Sequence, residues 1–424
     1  MKRYASFTVS LRRVSICFFI LLVSSVLAAA QHQVLAANII GQLAELTALD
    51  GAANNVFGGS VAISGNIIVV GAPGANSNKG AVYVFVKPAN GWGNMTQVLE
   101  LTSPDSAEGD GFGQSVGISG STIVVGAPSH HMGRNRRTGA AYVAKLTRNG
   151  ITRGAELTAS DGADDDDFGN SVAISGNTVA VGALGKNNFI GAAYVFVQPP
   201  SGWTHMTQTA ELTSTDQVHQ QFGISMAMYG NTVIAGAWND TGQPGAAYVF
   251  VQPATGWTNM TQTAKLTASD GQPKDEFAAP SVSTDGDAVV VGAPDANLGD
   301  GAAYVFVEPS SGWVNMTETA KLTASDGGES DGFGVSVSII NGVALVGAPS
   351  ATINGNLAQG AAYVYSEPKT GWSTTSAFYA KLTALDGAAR DHLGVSASLG
   401  GNTGIIGASG ANAAQGKAYV FGRQ

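Results

Sequence analysis

The 424-residue sequence predicts an all-β fold: a seven-bladed β-propeller of four-stranded blades, closed by the N-terminal strand pairing into the last blade. Three observations carry this. A Leu-Thr pair recurs at Leu46, Leu101, Leu157, Leu212, Leu266, Leu322 and Leu382, a mean period of 56 residues. Between these anchors the same words return in order: Phe-Gly-x-Ser-Val, a Gly-Asn turn, Val-Gly-Ala-Pro, Gly-Ala-Ala-Tyr-Val-Phe, Gly-Trp and Met-Thr. The last unit stops after its third strand, while an orphan fourth strand stands near the start of the chain. Residues 41–424 therefore read as one domain, where length alone would suggest about three.

The third repeat shows each element in order. Ser171–Ser175 is the first strand, and Gly176-Asn177 suits a tight hairpin because both residues tolerate positive φ. Thr178–Ala183 follows, almost wholly apolar, as expected of a strand covered on both faces. The third strand is Ala192–Val197, and the fourth is expected from about Thr207 to Thr213. Seven sheets converging on an axis crowd at their inner edges, so the Ser- and Gly-bearing first strand belongs at the centre and the Tyr-Val-Phe strand further out. In the last unit, 418–422 is the third strand, and 43–48 is expected to complete that blade and remove an exposed edge.

Residues 1–30 stand apart. Lys2, Arg3, Arg12 and Arg13 precede the apolar run 16–23 and small residues through Ala28-x-Ala30, the layout of a secretory signal peptide, with a second possible cut at Ala36. A twin-arginine signal at Arg12-Arg13 is the minor reading. Residues 31–40 form a short leader to the propeller. The expected location is secreted, extracellular or cell-surface, with no transmembrane segment in the mature chain. The one cysteine, Cys17, lies in the leader, so the mature chain has no disulfide and depends on its core. Without the leader, 17 basic residues face 30 acidic ones, a net charge of −13 that disfavours nucleic acid as a partner.

The repeated words resemble the FG-GAP repeats of the integrin α-subunit propeller. Phe-Gly stands at Phe57, Phe112, Phe168, Phe222 and Phe333, and Gly-Ala-Pro begins at Gly71, Gly126, Gly292 and Gly347; degenerate copies fill the other places. The resemblance covers residues 42–421 and implies a propeller that binds ligands through loops on one face. It also implies calcium loops between first and second strands. Here that connection is a two-residue turn such as Gly65-Asn66, too short for six to eight oxygen ligands, so no cofactor is expected and calcium lacks its motif.

The connection from the fourth strand to the next blade carries a leading Asp in all seven copies (Asp50 to Asp386) and a second acid at Asp110, Asp166, Asp275, Asp331 and Asp391. Turn-holding hydrogen bonds are the plain reading; a cation bridged by both acids, as at Asp161–Asp166 or Asp326–Asp331, is the sharper one. The second repeat has an unusual loop containing His130, His131, Arg134, Arg136 and Arg137, placed on the same face as the acidic run 164–167 and as Trp238, Asn239 and Asp240. These form a candidate ligand site where arginines grip an anionic group and Trp238 stacks. Consecutive histidines are not expected to share a metal. Five Gly-Trp pairs, at Trp92, Trp203, Trp257, Trp313 and Trp372, read as packing between blades; sequons lie at Asn94, Asn239, Asn259 and Asn315. Gly113-Gln114-Ser115-Val116-Gly117 matches a nucleophile elbow, but Ser115 is the repeat's ordinary first-strand Ser. The function expected is a monomeric, non-enzymatic binding or adhesion scaffold for an extracellular protein or glycan; the alternatives are a polysaccharide-active enzyme using paired Asp residues, or a structural matrix protein.

Overall fold

The computed structural model describes residues 39–103, 105–131, 137–216, 220–238 and 242–423, without the side chains of 153 and 154. The leader at 1–30 lies outside them, as do residues 31–38. Seven sheets each run first, second, third, fourth strand from the centre outward. Their first strands touch in a closed circle and line a polar channel of about 370 Å³.

The small residues of the motif are explained at the seams. Ser60 Oγ donates to the Gly113 carbonyl of the next blade at 2.8 Å, and Ser115, Ser171, Ser225, Ser336 and Ser396 repeat the bond at 2.6–2.9 Å, the last closing the ring onto Gly58. Ser115 thus has a structural partner, as its repeat position implied. Blades approach so closely that a Cβ on Gly71 would stand 2.1 Å from the Gly113 oxygen. The second-strand glycine is therefore a packing requirement. Outward, each seam buries aromatic rings: Phe57 lies 5.5 Å from Tyr83 and 6.1 Å from Phe85, and the third to sixth blades repeat the trio.

Closure is as expected. Gly41–Thr47 pairs antiparallel with Lys417–Gly422, with Leu46 opposite Ala418, and serves as the fourth strand of blade 7. The continuous fourth strand expected near 207–213 is, however, broken in two. Ala210–Thr213 stays in blade 3, while Met206–Thr207 pairs in parallel with Leu157 and Thr158 of blade 2. Equivalent clips join Met95–Thr96 to blade 7, Met260–Thr261 to blade 3 and Met316–Thr317 to blade 4, and Thr375 bridges Leu322 of blade 5. The physical reason is the tryptophan three residues ahead: Trp257, Trp313 and Trp372 are buried in the seams, which draws the following residues onto the neighbouring sheet's outer edge. On blade 6 the chain ahead of the closing strand does similar work, with Gln42 Oε1 accepting from the Leu385 amide as Gln97 accepts from Leu49.

Three connections between second and third strands form a single turn of left-handed helix at 76–78, 187–189 and 412–414, with φ between 52° and 63°. Asn at the leading positions tolerates that conformation. No helix among the described residues is long and apolar enough to cross a membrane.

Candidate functional site

The seams follow a charge rule on the loop face. In five of them the leading Asp accepts the third-strand Tyr hydroxyl of the next blade, as in Tyr83–Asp50 (3.1 Å), Tyr194–Asp161 (3.0 Å) and Tyr304–Asp270 (2.9 Å). It ties blades together, whereas the turn-holding bond is made by the second acid: Asp110, Asp166, Asp275, Asp331 and Asp391 each accept an amide three residues back at 2.7–2.9 Å. Where the fourth strand carries Lys, that lysine neutralises the leading Asp directly: Lys265–Asp216, Lys321–Asp270 and Lys381–Asp326. Where it carries Glu, the donor comes from elsewhere in the blade. Lys417 reaches Glu45 and Asp386, Asn76 reaches Glu100, and the ammonium of buried Lys186 lies 2.9 Å from Asp161 and 3.2 Å from Asp166. The expected Asp161–Asp166 cation position thus holds a lysine side chain; Asp326 meets Lys381 while Asp331 caps Gly328.

Blade 2 breaks the pattern. Its third and fourth strands, Ala140–Thr147 and Gly150–Thr158, run on as a long hairpin, with neither Gly-Trp nor Met-Thr between them. Ala144 occupies the position held by Phe85, Phe196, Phe250, Phe306, Tyr365 and Phe421 in the other blades. Blade 1's outer strand, Leu99–Leu101, consequently receives no clip among the described residues. A groove of about 420 Å³ opens there, floored by Leu99, Leu101, Phe112, Val125, Ala144 and Ile151. Two further details fit an edge without a clip. Position 104 is Pro, with no N–H to offer where Leu49, Ser160 and Thr215 donate to a clip Gln. The Glu100 amide meets no side-chain acceptor among the described residues, whereas those of Glu45, Glu156, Glu211 and Lys265 do.

The polar end of the groove is built from Asp105, Tyr142, Glu156 and His205. His130, 4% exposed, stands behind it in the place of blade 3's Lys186. Its Nδ1 is 2.9 Å from Asp110 Oδ2, and its Nε2 lies 3.8 Å from Asp105 Oδ2 and 3.9 Å from Glu156 Oε1. Tyr142 packs edge-on against the ring and donates to Asp105 at 3.2 Å. Burial alone would raise the Asp105 carboxyl, but the Ser103 hydroxyl and the charge of the His130 ring hold it below the ordinary range.

The expected ligand site is only partly assembled. His130 and His131 converge on one carboxylate, that of Asp110. Arg137 joins the acidic run through its carbonyl, which accepts from the Asp165 amide at 2.9 Å. Burial, then Asp165 and Asp166, push Asp167 up against the opposing charge of Arg137. Trp238 lies two blades on, outside the groove, with its indole nitrogen buried and without a hydrogen-bond partner among the described residues. Arg134, Arg136, Asn239 and Asp240 lie outside the described residues. The sequon residues Asn94, Asn259 and Asn315 are exposed, and each side-chain oxygen accepts a fourth-strand amide of the preceding blade at 2.8–2.9 Å. Tyr142, Ala144, Glu156 and His205 were not among the expected site residues, and Asp105 entered only as one of the seven leading aspartates. The signal for them was an absence, the missing Trp clip and missing aromatic of the second repeat.

A seven-bladed ring with an irregular seam defines the class as a repeat propeller. Seven segments, at 40–85, 95–144, 151–196, 206–250, 260–306, 316–365 and 377–421, match the FG-GAP repeat, and the chain belongs to that family. No curated protein matches it. Two crystal structures of Sqt1 from Chaetomium thermophilum are similar to it at 13% identity and a TM-score of 0.48, covering 90% and 91% of this chain and 98% and 100% of theirs.

Proposed function

We propose that this protein is a secreted or cell-surface scaffold, acting by binding and not by catalysis, that takes up an extended segment of an extracellular protein in the groove between blades 1 and 2. The leader-like sequence at 1–30 supports the location, and the FG-GAP propeller fits a binding or scaffold role. One observation carries the site: the chain clips every other seam with its own residues and leaves this groove unfilled among the described ones. The filled seams specify the occupant's chemistry. It is an aromatic residue followed three positions later by Met-Thr or a similar apolar-hydroxyl pair, lying parallel to Leu99–Leu101, as Trp257 and Met260–Thr261 lie along blade 3. A polar side chain just ahead of its apolar residue would answer the Glu100 amide, as Asn259 answers Glu211, and its aromatic ring would cover Ala144.

The test uses a peptide of residues 256–262, Gly-Trp-Thr-Asn-Met-Thr-Gln, titrated into the full chain. Saturable binding that Ala144→Phe reduces at least tenfold is expected, because the ring fills the groove. Absence of binding, or binding indifferent to Ala144→Phe, overturns the reading.

A further inference from the structure

We propose that Asp105, His130 and Glu156 form a binding site for a divalent first-row metal ion such as zinc, at the seam between blades 1 and 2. One imidazole nitrogen and two carboxylates present ligand atoms that all lie within 4.8 Å of one another, the only such group of three among the described residues. The chain brings them together across 51 residues, because Asp105 follows blade 1, His130 sits in blade 2's loop and Glu156 lies on blade 2's fourth strand.

The histidine is held as a metal-binding histidine is held. Its Nδ1 faces the wholly buried Asp110, itself anchored by the Ala107 amide at 2.8 Å. A carboxylate behind the ring fixes its orientation and aims Nε2 at the two forward carboxylates, the support that zinc-bound histidines commonly have. The side chain is 6% exposed, and Nε2 has no hydrogen-bond partner among the described residues. Tetrahedral zinc, with bonds of about 2.0–2.1 Å, sets its ligands roughly 3.3 Å apart, so the 3.8 and 3.9 Å from Nε2, and the Asp105–Glu156 separation within 4.8 Å, call for an inward movement of the carboxylates. Asp105, half exposed, has room to make it.

Blade 3 supplies a separate observation. There, at the equivalent place, a lysine ammonium sits at 2.9 and 3.2 Å from two carboxylates with Glu211 nearby. The seam calls for positive charge between its acids, and blade 2 offers a ring whose Nδ1 meets Asp110 at 2.9 Å but whose Nε2 stops almost 4 Å short of Asp105 and Glu156. A metal ion supplies that charge, and a fourth coordination position opens on the groove. An imidazole in the donor set favours zinc, cobalt or nickel over calcium or magnesium, which prefer all-oxygen cages. His131 stands outside the set, on the other oxygen of Asp110.

The site is independent of any groove occupant and is tested with the metal alone. The full chain, stripped with a chelator and dialysed, is titrated calorimetrically with zinc; cobalt gives a visible absorption band as a second readout. One equivalent bound at micromolar or lower Kd, and a Tm raised by several degrees, are expected. His131→Gln keeps binding and His130→Gln loses it. His130→Lys guards against misfolding, since it installs the residue blade 3 uses: it is expected to melt at or above the metal-free wild-type temperature and to bind no zinc. A wild-type chain that takes up no zinc, or a His130→Lys chain that still does, overturns the proposal and leaves His130 as an ion-pair substitute for the lysine.

Discussion

Lys186 buries its ammonium between Asp161 and Asp166, and Glu211 stands beside it on the fourth strand. In blades 4 to 6 the same fourth-strand position is itself a lysine, so two arrangements of the same charges occur within one chain. Lys186→Met strands the buried Asp166 and should cost about 3 kcal/mol of unfolding free energy, measured by denaturant titration. Adding Glu211→Lys should restore some of that loss, because it converts blade 3 to the other arrangement. The tethering aspartates also set an acid limit. For Asp270, burial would raise the carboxyl, but Lys321 and then Tyr304 outweigh it and hold it low; Lys417 does the same for Asp386. A carboxyl depressed by folding contributes stability that is full above its unfolded value, about 4, and drains away as pH falls through the folded one. Tm is therefore expected to fall below about pH 4, and Asp270→Asn with Asp386→Asn should flatten that slope. Asp167 and Glu211, raised by burial and acidic neighbours, act in the opposite sense.

Among the elements, the tryptophan clips tie neighbouring blades together at five of the seven seams. Trp257 is 5% exposed and packs with Phe222, Tyr248 and Phe250. Trp257→Ala should destabilise by about 3–5 kcal/mol, whereas exposed Val314 replaced by Ala should shift the melt by less than a degree or two. The strands themselves were legible from apolar runs and Gly-Asn turns, and the inner position of Ser60 or Ser171 from the crowding of seven edges. The clip was not legible, because Met206-Thr207 reads as the beginning of the strand that continues at Ala210; only the parallel register with Leu157 separates them. The groove was hidden for a different reason. Reading by motif attends to residues present, and this feature consists of a tryptophan, a methionine and a phenylalanine that the second repeat lacks. Asp105, His130 and Glu156 looked unrelated because only the seam geometry joins them.

At the scale of the molecule, the ring was foreseeable because an unpaired strand at one end of the propeller region matched a missing strand at the other. Removing residues 41–48 deletes Leu46 and Ala44 from the core and exposes the edge of Lys417–Gly422. The melting temperature should then fall by well over 10 °C, with a greater tendency to aggregate seen by light scattering. The same pairing decides how the propeller would yield to a pull. Gly41 lies directly opposite Gly422, so tension applied ahead of the first and beyond the second draws apart two strands at their shared end. Their hydrogen bonds would then break in succession, as a zip opens, and not all together in shear. Blade 7 is therefore the mechanical fuse of the ring, and a load carried through the chain would open it there while the other six blades still held.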